Sequence, residues 1–292
     1  MTTSFATIPL ADVSLACSIH GPPGAPLVIL AHGFPDEAST FRAQVPALLA
    51  AGFRVATPTL RGYAPSGLAR SGRYDVASVG RDLVELAGHL SPDAKARLVG
   101  HDWGALASFA ATSIAPARFS HLVTMAVPHP RAILGVVSPA QLRRSWYIGL
   151  FQLPRIAEAL LRRNDHAMIE ALWRDWSPGY RASAEELRSV KEAISGREHE
   201  VLAYYRALRS PRALFGEARR LLLARTRVPA LHLHGEDDGC VGVECTQGAS
   251  RWYDAPYQLQ RISGAGHFLQ REKPAEVNAA LLQFLGAPPV RA

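Results

Sequence analysis

A chain of 292 residues, 48% of them hydrophobic, is long enough to bury a substantial core in one large domain or two ordinary ones. Its 23 glycines and 21 prolines are spread along the chain without low-complexity tracts or a fixed-period repeat, which excludes fibrous and disordered classes. The formal net charge is +7, but the arginines stand as singles or pairs (Arg143-Arg144, Arg162-Arg163, Arg219-Arg220) rather than as a stripe interleaved with aromatics, so no nucleic-acid partner is expected.

In chain order, the first segment alternates. Ile8, Leu10, Val13, Leu15, Cys17 and Ile19 are apolar among polar or small neighbours, which predicts an antiparallel hairpin with one covered face. After the turn HGPPGAP come short continuous apolar runs, LVILAHG, ARLVGH and HLVTMAV, with FRVAT and ALHLHG weaker examples. Such runs suit strands buried on both faces of a parallel sheet. Helical stretches separate them, among them Val79 to Leu90 and Trp103 to Ala115, so the pattern is that of an α/β layered fold.

Between about Pro130 and Arg227 the strand signals stop. Ser183-Ala184-Glu185-Glu186 is a capping-box signature with Gly196 as the stop, and the next helix sets Val201, Tyr205 and Leu208 on one face. Strands resume at PALHLHG and YQLQRIS, and a last helix is expected from about Ala275 to Leu285. The expected division is therefore 1–129 and 228–292 as the two parts of one sheet-based core, with 130–227 as a helical insertion that returns to it and serves as a lid.

Gly100-His101-Asp102-Trp103-Gly104 follows a strand directly and opens an apolar helix, which is the context of a nucleophile elbow. Small residues at both ends let strand and helix pack closely around a central residue held in a strained backbone conformation. The plainer alternative is a loop whose Asp102 caps the helix. Three further segments favour the elbow: AHGFPD after an earlier strand, HGEDDGCV after a later one, and GAGHFLQ near the C-terminus. They supply candidate oxyanion donors in the N–H groups of Phe34 and Trp103, an acid in Asp238 or its neighbour Asp237, and a histidine in His267. Nucleophile, acid and histidine follow one another in the order of the α/β-hydrolase fold.

The segments HGFPD, PTLRGYAPS, GHDWGA, AVPHP, FQLP, AYYRAL, HGEDD and GAGHFLQRE span nearly the whole chain. With them it resembles α/β-hydrolases of the epoxide hydrolase and haloalkane dehalogenase branch, in which aspartate replaces the usual nucleophilic serine. The resemblance implies a mostly parallel central sheet flanked by helices with an inserted helical cap, and selects Asp238 as the acid. It departs at Thr59, where relatives usually carry an acidic residue, and at Ala126, where many carry asparagine.

A carboxylate is ionised at neutral pH and can attack a saturated carbon without activation, forming an alkyl ester. Water activated by His267, itself oriented by Asp238, would then hydrolyse the ester while Phe34 and Trp103 hold the oxyanion. Opening an epoxide also requires an acid for the alkoxide, and the resemblance places Tyr147 and Tyr205 in that role, with Tyr204 pointing away. His32, Pro35 and Phe151 are candidates for the substrate pocket.

The leading expectation is conversion of a small apolar epoxide and water to a vicinal diol. The alternative is a haloalkane or haloacid dehalogenase, with Trp103, Trp146, Trp173 and Trp176 as candidate halide donors; a remoter one is a hydrolase-fold binding protein without turnover. No cofactor is required, and His121, His129, His232 and His234 are expected to satisfy local hydrogen bonds rather than bind metal. The opening residues MTTSFATIPLADVSL lack the pattern of a signal peptide, no run approaches the ~18 apolar residues of a membrane span, and three cysteines without metal-ligand spacing suit a reduced setting. A cytoplasmic monomer or homodimer that binds no membrane is therefore expected.

Overall fold

The computed structural model describes residues 3–136 and 138–286. Among these residues eight strands form one sheet: β1 (Thr3–Pro9), β2 (Ser14–His20), β3 (Leu27–Ala31), β4 (Arg54–Pro58), β5 (Ala96–His101), β6 (Phe119–Met125), β7 (Ala230–Gly235) and β8 (Tyr257–Ile262). Their order across the sheet is β1-β2-β4-β3-β5-β6-β7-β8. The hairpin β1–β2 is antiparallel, with Ile8 opposite Leu15, and β2 runs antiparallel to β4. From β4 to β8 every pairing is parallel.

Two apolar layers sandwich the sheet because successive side chains in a strand point to opposite faces. Leu27, Ile29 and Ala31 of β3 join one core with Leu98 and Leu122, while Val28 and Leu30 join the other with Val99, Val123 and Leu231. The continuous runs in β3 and β7 are buried at every position, as their sequence predicts. The edge strands differ: β1 and β8 are largely exposed along their length.

The helix expected from Val79 begins at Val76, because Asp75 accepts a hydrogen bond from the Ser78 N–H and caps it three residues earlier. Trp103–Ile114 follows the elbow directly, and Pro274–Leu285 closes the core. Between β6 and β7 the described elements are all helical, from Pro130 to Leu222. The span Ile156–Trp176 is two helices joined at Arg163–His166, where Asn164, Asp165 and His166 all adopt positive φ. At Ser183 both halves of the capping box form, and the helix Ala184–Ile194 ends just before Gly196, which has φ 73°. No helix among the described residues is long and apolar enough to cross a membrane.

A buried charge network joins the cap to the core. The Arg271 guanidinium, 1% exposed, donates to Asp36 of the loop after β3 (3.0 Å) and to Glu186 of the cap (3.0 Å), and it lies 5.2 Å from the Trp173 ring. Glu186 also accepts from Tyr180 (2.5 Å) and Arg42 (2.8 Å). Removing one partner of a buried pair strands the other charge in a medium that solvates it poorly. Arg271→Met, similar in length and uncharged, is expected to lower the unfolding free energy by about 3 kcal/mol in urea titrations. A change under about 1 kcal/mol would show that Asp36 is solvated by other means.

Candidate active site

Asp102 sits between β5 and the helix Trp103–Ile114 with φ 52° and ψ −117°, a conformation that non-glycine residues rarely adopt. The turn is sharp enough to bring the first helical turn against the neighbouring strand. A Cβ on Gly104 would run into the Ala31 carbonyl oxygen, so this position has room only for hydrogen. Asp102, 6% exposed, consequently stands at the C-terminal edge of the sheet, where open α/β sheets place their sites.

Its two carboxylate oxygens have different surroundings. Oδ1 accepts the Phe34 N–H at 2.7 Å, and a Cβ on Gly33 would collide with it. Oδ2 faces His267 Nε2 at 3.6 Å, longer than a hydrogen bond. The Trp103 N–H, at the first position of the helix, has no protein partner among the described residues.

His267 is fully buried, and its Nδ1–H donates to Asp238 Oδ2 at 2.9 Å. Asp238 Oδ1 in turn accepts the N–H groups of Cys240 (2.7 Å) and Val241 (2.9 Å). Asp237, the neighbour left open by the residue pattern, is exposed, so Asp238 is the one that touches His267. Burial alone would depress the His267 pKa, but the Asp238 and Asp102 carboxylates outweigh it and raise the pKa to about 10. Burial likewise works against an ionised Asp238, and the His267 charge and hydrogen bond reverse that to hold its pKa below the usual value.

Cap side chains close the space opposite Asp102. Tyr205 packs edge-on against Phe34 (5.3 Å between ring centroids) and Trp103 (5.0 Å), and its buried hydroxyl proton has no acceptor among the described residues. Tyr147 lies 5.7 Å from Tyr205, and its hydroxyl is 3.2 Å from Cys240 Sγ. Burial pushes both phenols well above their ordinary pKa, so both keep their protons. Phe151 fills the floor between Phe34, Tyr147 and Tyr205. Tyr204 points elsewhere and donates to the Arg61 carbonyl at 2.8 Å.

The pocket candidates His32 and Pro35 both make ties within the scaffold. His32 does not face the pocket: Nδ1–H donates to the Gly33 carbonyl (3.0 Å), Nε2 accepts the Leu60 N–H (3.0 Å), and the buried ring has no free nitrogen for substrate. Pro35 contributes its carbonyl, which accepts the Trp173 indole N–H at 2.7 Å. That bond also removes Trp173 as a halide donor, and Trp146 is half exposed at the surface. Trp176 remains in the site, its ring 5.1 Å from His267 and 4.9 Å from Tyr147.

Other features were not legible in the residue pattern. The Trp176 carbonyl accepts both the His267 N–H and the Gly239 N–H (3.0 Å each), so a cap residue ties the histidine loop to the acid loop. His101 donates Nε2–H to the His267 carbonyl at 2.9 Å, linking the elbow to the same loop. His234 donates to the Val241 carbonyl, accepts from His232, and His232 accepts from the Thr124 hydroxyl, a chain that braces the acid loop. Ala126 adopts φ 63°, a region that asparagine tolerates better than alanine. Among the described residues one trio of potential metal ligands comes together, Asp238, Cys240 and His267. Asp238 is already spent on two N–H groups and His267, and burial beside the carboxylates keeps the Cys240 thiol protonated, so the trio suits hydrogen bonding rather than coordination.

Residues 26–274 match the family model described as alpha/beta hydrolase fold. Epoxide hydrolase A of Mycobacterium tuberculosis is 34% identical over 299 aligned positions, covering 91% of this chain and 92% of that protein. The chain belongs to the epoxide hydrolase branch of the α/β-hydrolase family. The AB hydrolase superfamily protein YfhM of Bacillus subtilis is 31% identical, with 94% of each chain covered. The crystal structure of epoxide hydrolase A from Mycobacterium thermoresistibile superposes with a TM-score of 0.81 at 29% identity, covering 97% of this chain and 98% of that one. The family fold accounts for the sheet, the elbow and the inserted cap.

The buried histidines make stability depend on pH in two directions. Burial depresses the pKa of His32, His232 and His234, and brings His101 and His129 to about 4. Below about pH 6.5 the unfolded chain therefore binds protons that these folded histidines refuse, at about 1.4 kcal/mol per pH unit for each. His267 has the opposite sign: its contribution is complete below the unfolded value of about 6.5 and is lost as pH rises through about 10. Unfolding free energies from urea titrations should thus peak near neutrality, fall steeply toward pH 5 and more gently toward pH 10. In Asp102→Asn the alkaline limb should end at a lower pH, and an unchanged limb would contradict the assigned electrostatics.

Proposed function

We propose that this protein hydrolyses a small apolar epoxide to a vicinal diol through a covalent ester on Asp102. The observation that carries this reading is the split environment of the Asp102 carboxylate beneath two buried tyrosines. Oδ1 already occupies the Phe34 N–H, as the carbonyl oxygen of an ester would, and this leaves Oδ2 to attack carbon. The phenols of Tyr147 and Tyr205 supply protons for the opened epoxide oxygen from the opposite wall. His267 then activates water for attack at the ester carbon, with Asp238 holding its Nδ1 and the N–H groups of Phe34 and Trp103 receiving the oxyanion.

The charges support an order of events. In the resting site two carboxylates hold the His267 proton. Ester formation removes the charge of Asp102, so one of the two supports is lost and Nε2 gives up its proton more readily, which frees it to accept one from water. Dehalogenation would use the same nucleophile, but one of its candidate donors is committed: the Trp173 indole N–H is engaged by Pro35, whereas both phenols are buried and protonated.

A single turnover of styrene oxide in ¹⁸O-water with excess enzyme tests this reading. The first diol should carry unlabelled oxygen from Asp102, and label should appear in the Asp102 carboxylate. First-turnover diol carrying one ¹⁸O would sink the covalent route, and rapid halide release from a bromoalkane without diol formation from any epoxide would favour dehalogenation. The double variant Tyr147→Phe, Tyr205→Phe should lose epoxide opening by at least about a thousandfold, since it removes general-acid assistance and buried hydrogen bonds together.

A further inference from the structure

The two tyrosines are not equivalent. The Tyr205 hydroxyl is buried and its proton has no acceptor among the described residues, so it is free for a substrate oxygen. The Tyr147 hydroxyl already has a partner in Cys240 Sγ, 3.2 Å away. Cys240 is 1% exposed and fixed from both sides. Its N–H is bound by Asp238 Oδ1, and its carbonyl accepts the Gln141 Nε2–H of the cap at 2.9 Å. Gln141 Oε1 also accepts the Gly242 N–H at 2.9 Å, so one cap side chain grips the acid loop at two points. The thiol is therefore held in place at the join between cap and acid loop.

We propose that Cys240 is a positioning residue that donates its S–H to the Tyr147 phenol oxygen and so turns the Tyr147 O–H toward the epoxide. This rests on the epoxide hydrolase reading above. A thiol is a weak acceptor and a phenol oxygen a good one, so with a substrate oxygen present the favourable arrangement runs from S–H to phenol oxygen and from phenol O–H to substrate. Burial and the carboxylates of Asp238 and Asp102 disfavour the thiolate, which keeps the sulfur a donor and also makes it a poor nucleophile beside an electrophilic substrate.

The step balances. Asp102 Oδ2 forms a bond to carbon, the epoxide C–O bond breaks with its electron pair left on oxygen, and a tyrosine proton moves to that alkoxide. When Tyr147 is the donor, its phenolate is held by the Cys240 S–H. Hydrolysis of the ester by water regenerates the Asp102 carboxylate and releases one proton, which restores the phenol.

Two measurements on the intact protein test the proposal. In the first, the S–H stretching band of Cys240, assigned by difference from Cys240→Ala, should move to higher frequency in Tyr147→Phe and stay in place in Tyr205→Phe. An unmoved band in Tyr147→Phe would show that the thiol does not donate to that phenol and would overturn the proposal. In the second, alkyl-enzyme formation with styrene oxide is followed by rapid quench. Cys240→Ala should slow alkylation about tenfold, as expected for one lost hydrogen bond, with ester hydrolysis unchanged. Cys240→Ser should restore most of the rate. The Cys240→Ala effect should vanish in a Tyr147→Phe background and persist in Tyr205→Phe. Slowed hydrolysis instead of alkylation, or equal effects in both backgrounds, would mean that Cys240 merely supports the Asp238 loop. A wild-type protein that forms no alkyl-enzyme with styrene oxide defeats the underlying functional reading instead, and the infrared result still reports separately whether the thiol donates.

Discussion

The positive-φ turn at Asp102 is the constraint around which the rest of the molecule is arranged. A residue forced into that conformation costs free energy, of order 1–3 kcal/mol, and persists only where its surroundings over-determine it. Here β5 fixes one side, the helix Trp103–Ile114 the other, and the absence of side chains at Gly33 and Gly104 lets the chain close around the carboxylate. Asp102 cannot retreat into the core, and its oxygens must meet whatever the neighbouring loops provide. Those loops leave the ends of β3, β7 and β8, so the parallel sheet gathers the N–H of Phe34, the acid Asp238 and His267 at one edge.

Electrostatics and packing then act together. Three ionisable groups, Asp102, His267 and Asp238, share a volume from which solvent is nearly excluded. One positive charge between two negative ones is a stable arrangement there, and neutralising either acid changes the basicity of the histidine. The aromatic wall of Phe34, Trp103, Tyr147, Phe151, Trp176 and Tyr205 keeps the local dielectric low, which enlarges each such change.

Much of this was legible in the residues. The buried runs of β3, β5, β6 and β7 announce a parallel sheet, and Gly100-x-Asp102-x-Gly104 after one of them announces the turn. The Ser183 capping box and the turn of Tyr204 away from Tyr205 follow from helical geometry and appear as expected. What the pattern hid depends on contacts across the fold. His32 sits in the motif beside Phe34, but no periodicity reveals that both its nitrogens are taken by backbone groups. The Trp176 carbonyl is a backbone acceptor and carries no residue signature at all. Cys240 looked like one of three unremarkable cysteines until the fold set Tyr147 beside it.

That Trp176 carbonyl has a bearing on how such proteins diversify. A lid is often pictured as an exchangeable module whose side chains set substrate range while the core keeps the chemistry. In this chain the lid's own backbone holds the loops of both His267 and Asp238, and Gln141 and Glu186 add further ties to the core. New substrate preferences are therefore more accessible through single side chains lining the wall, such as Phe151, than through grafting whole lid helices from another scaffold. A transplanted lid would have to reproduce a carbonyl position as well as a pocket shape.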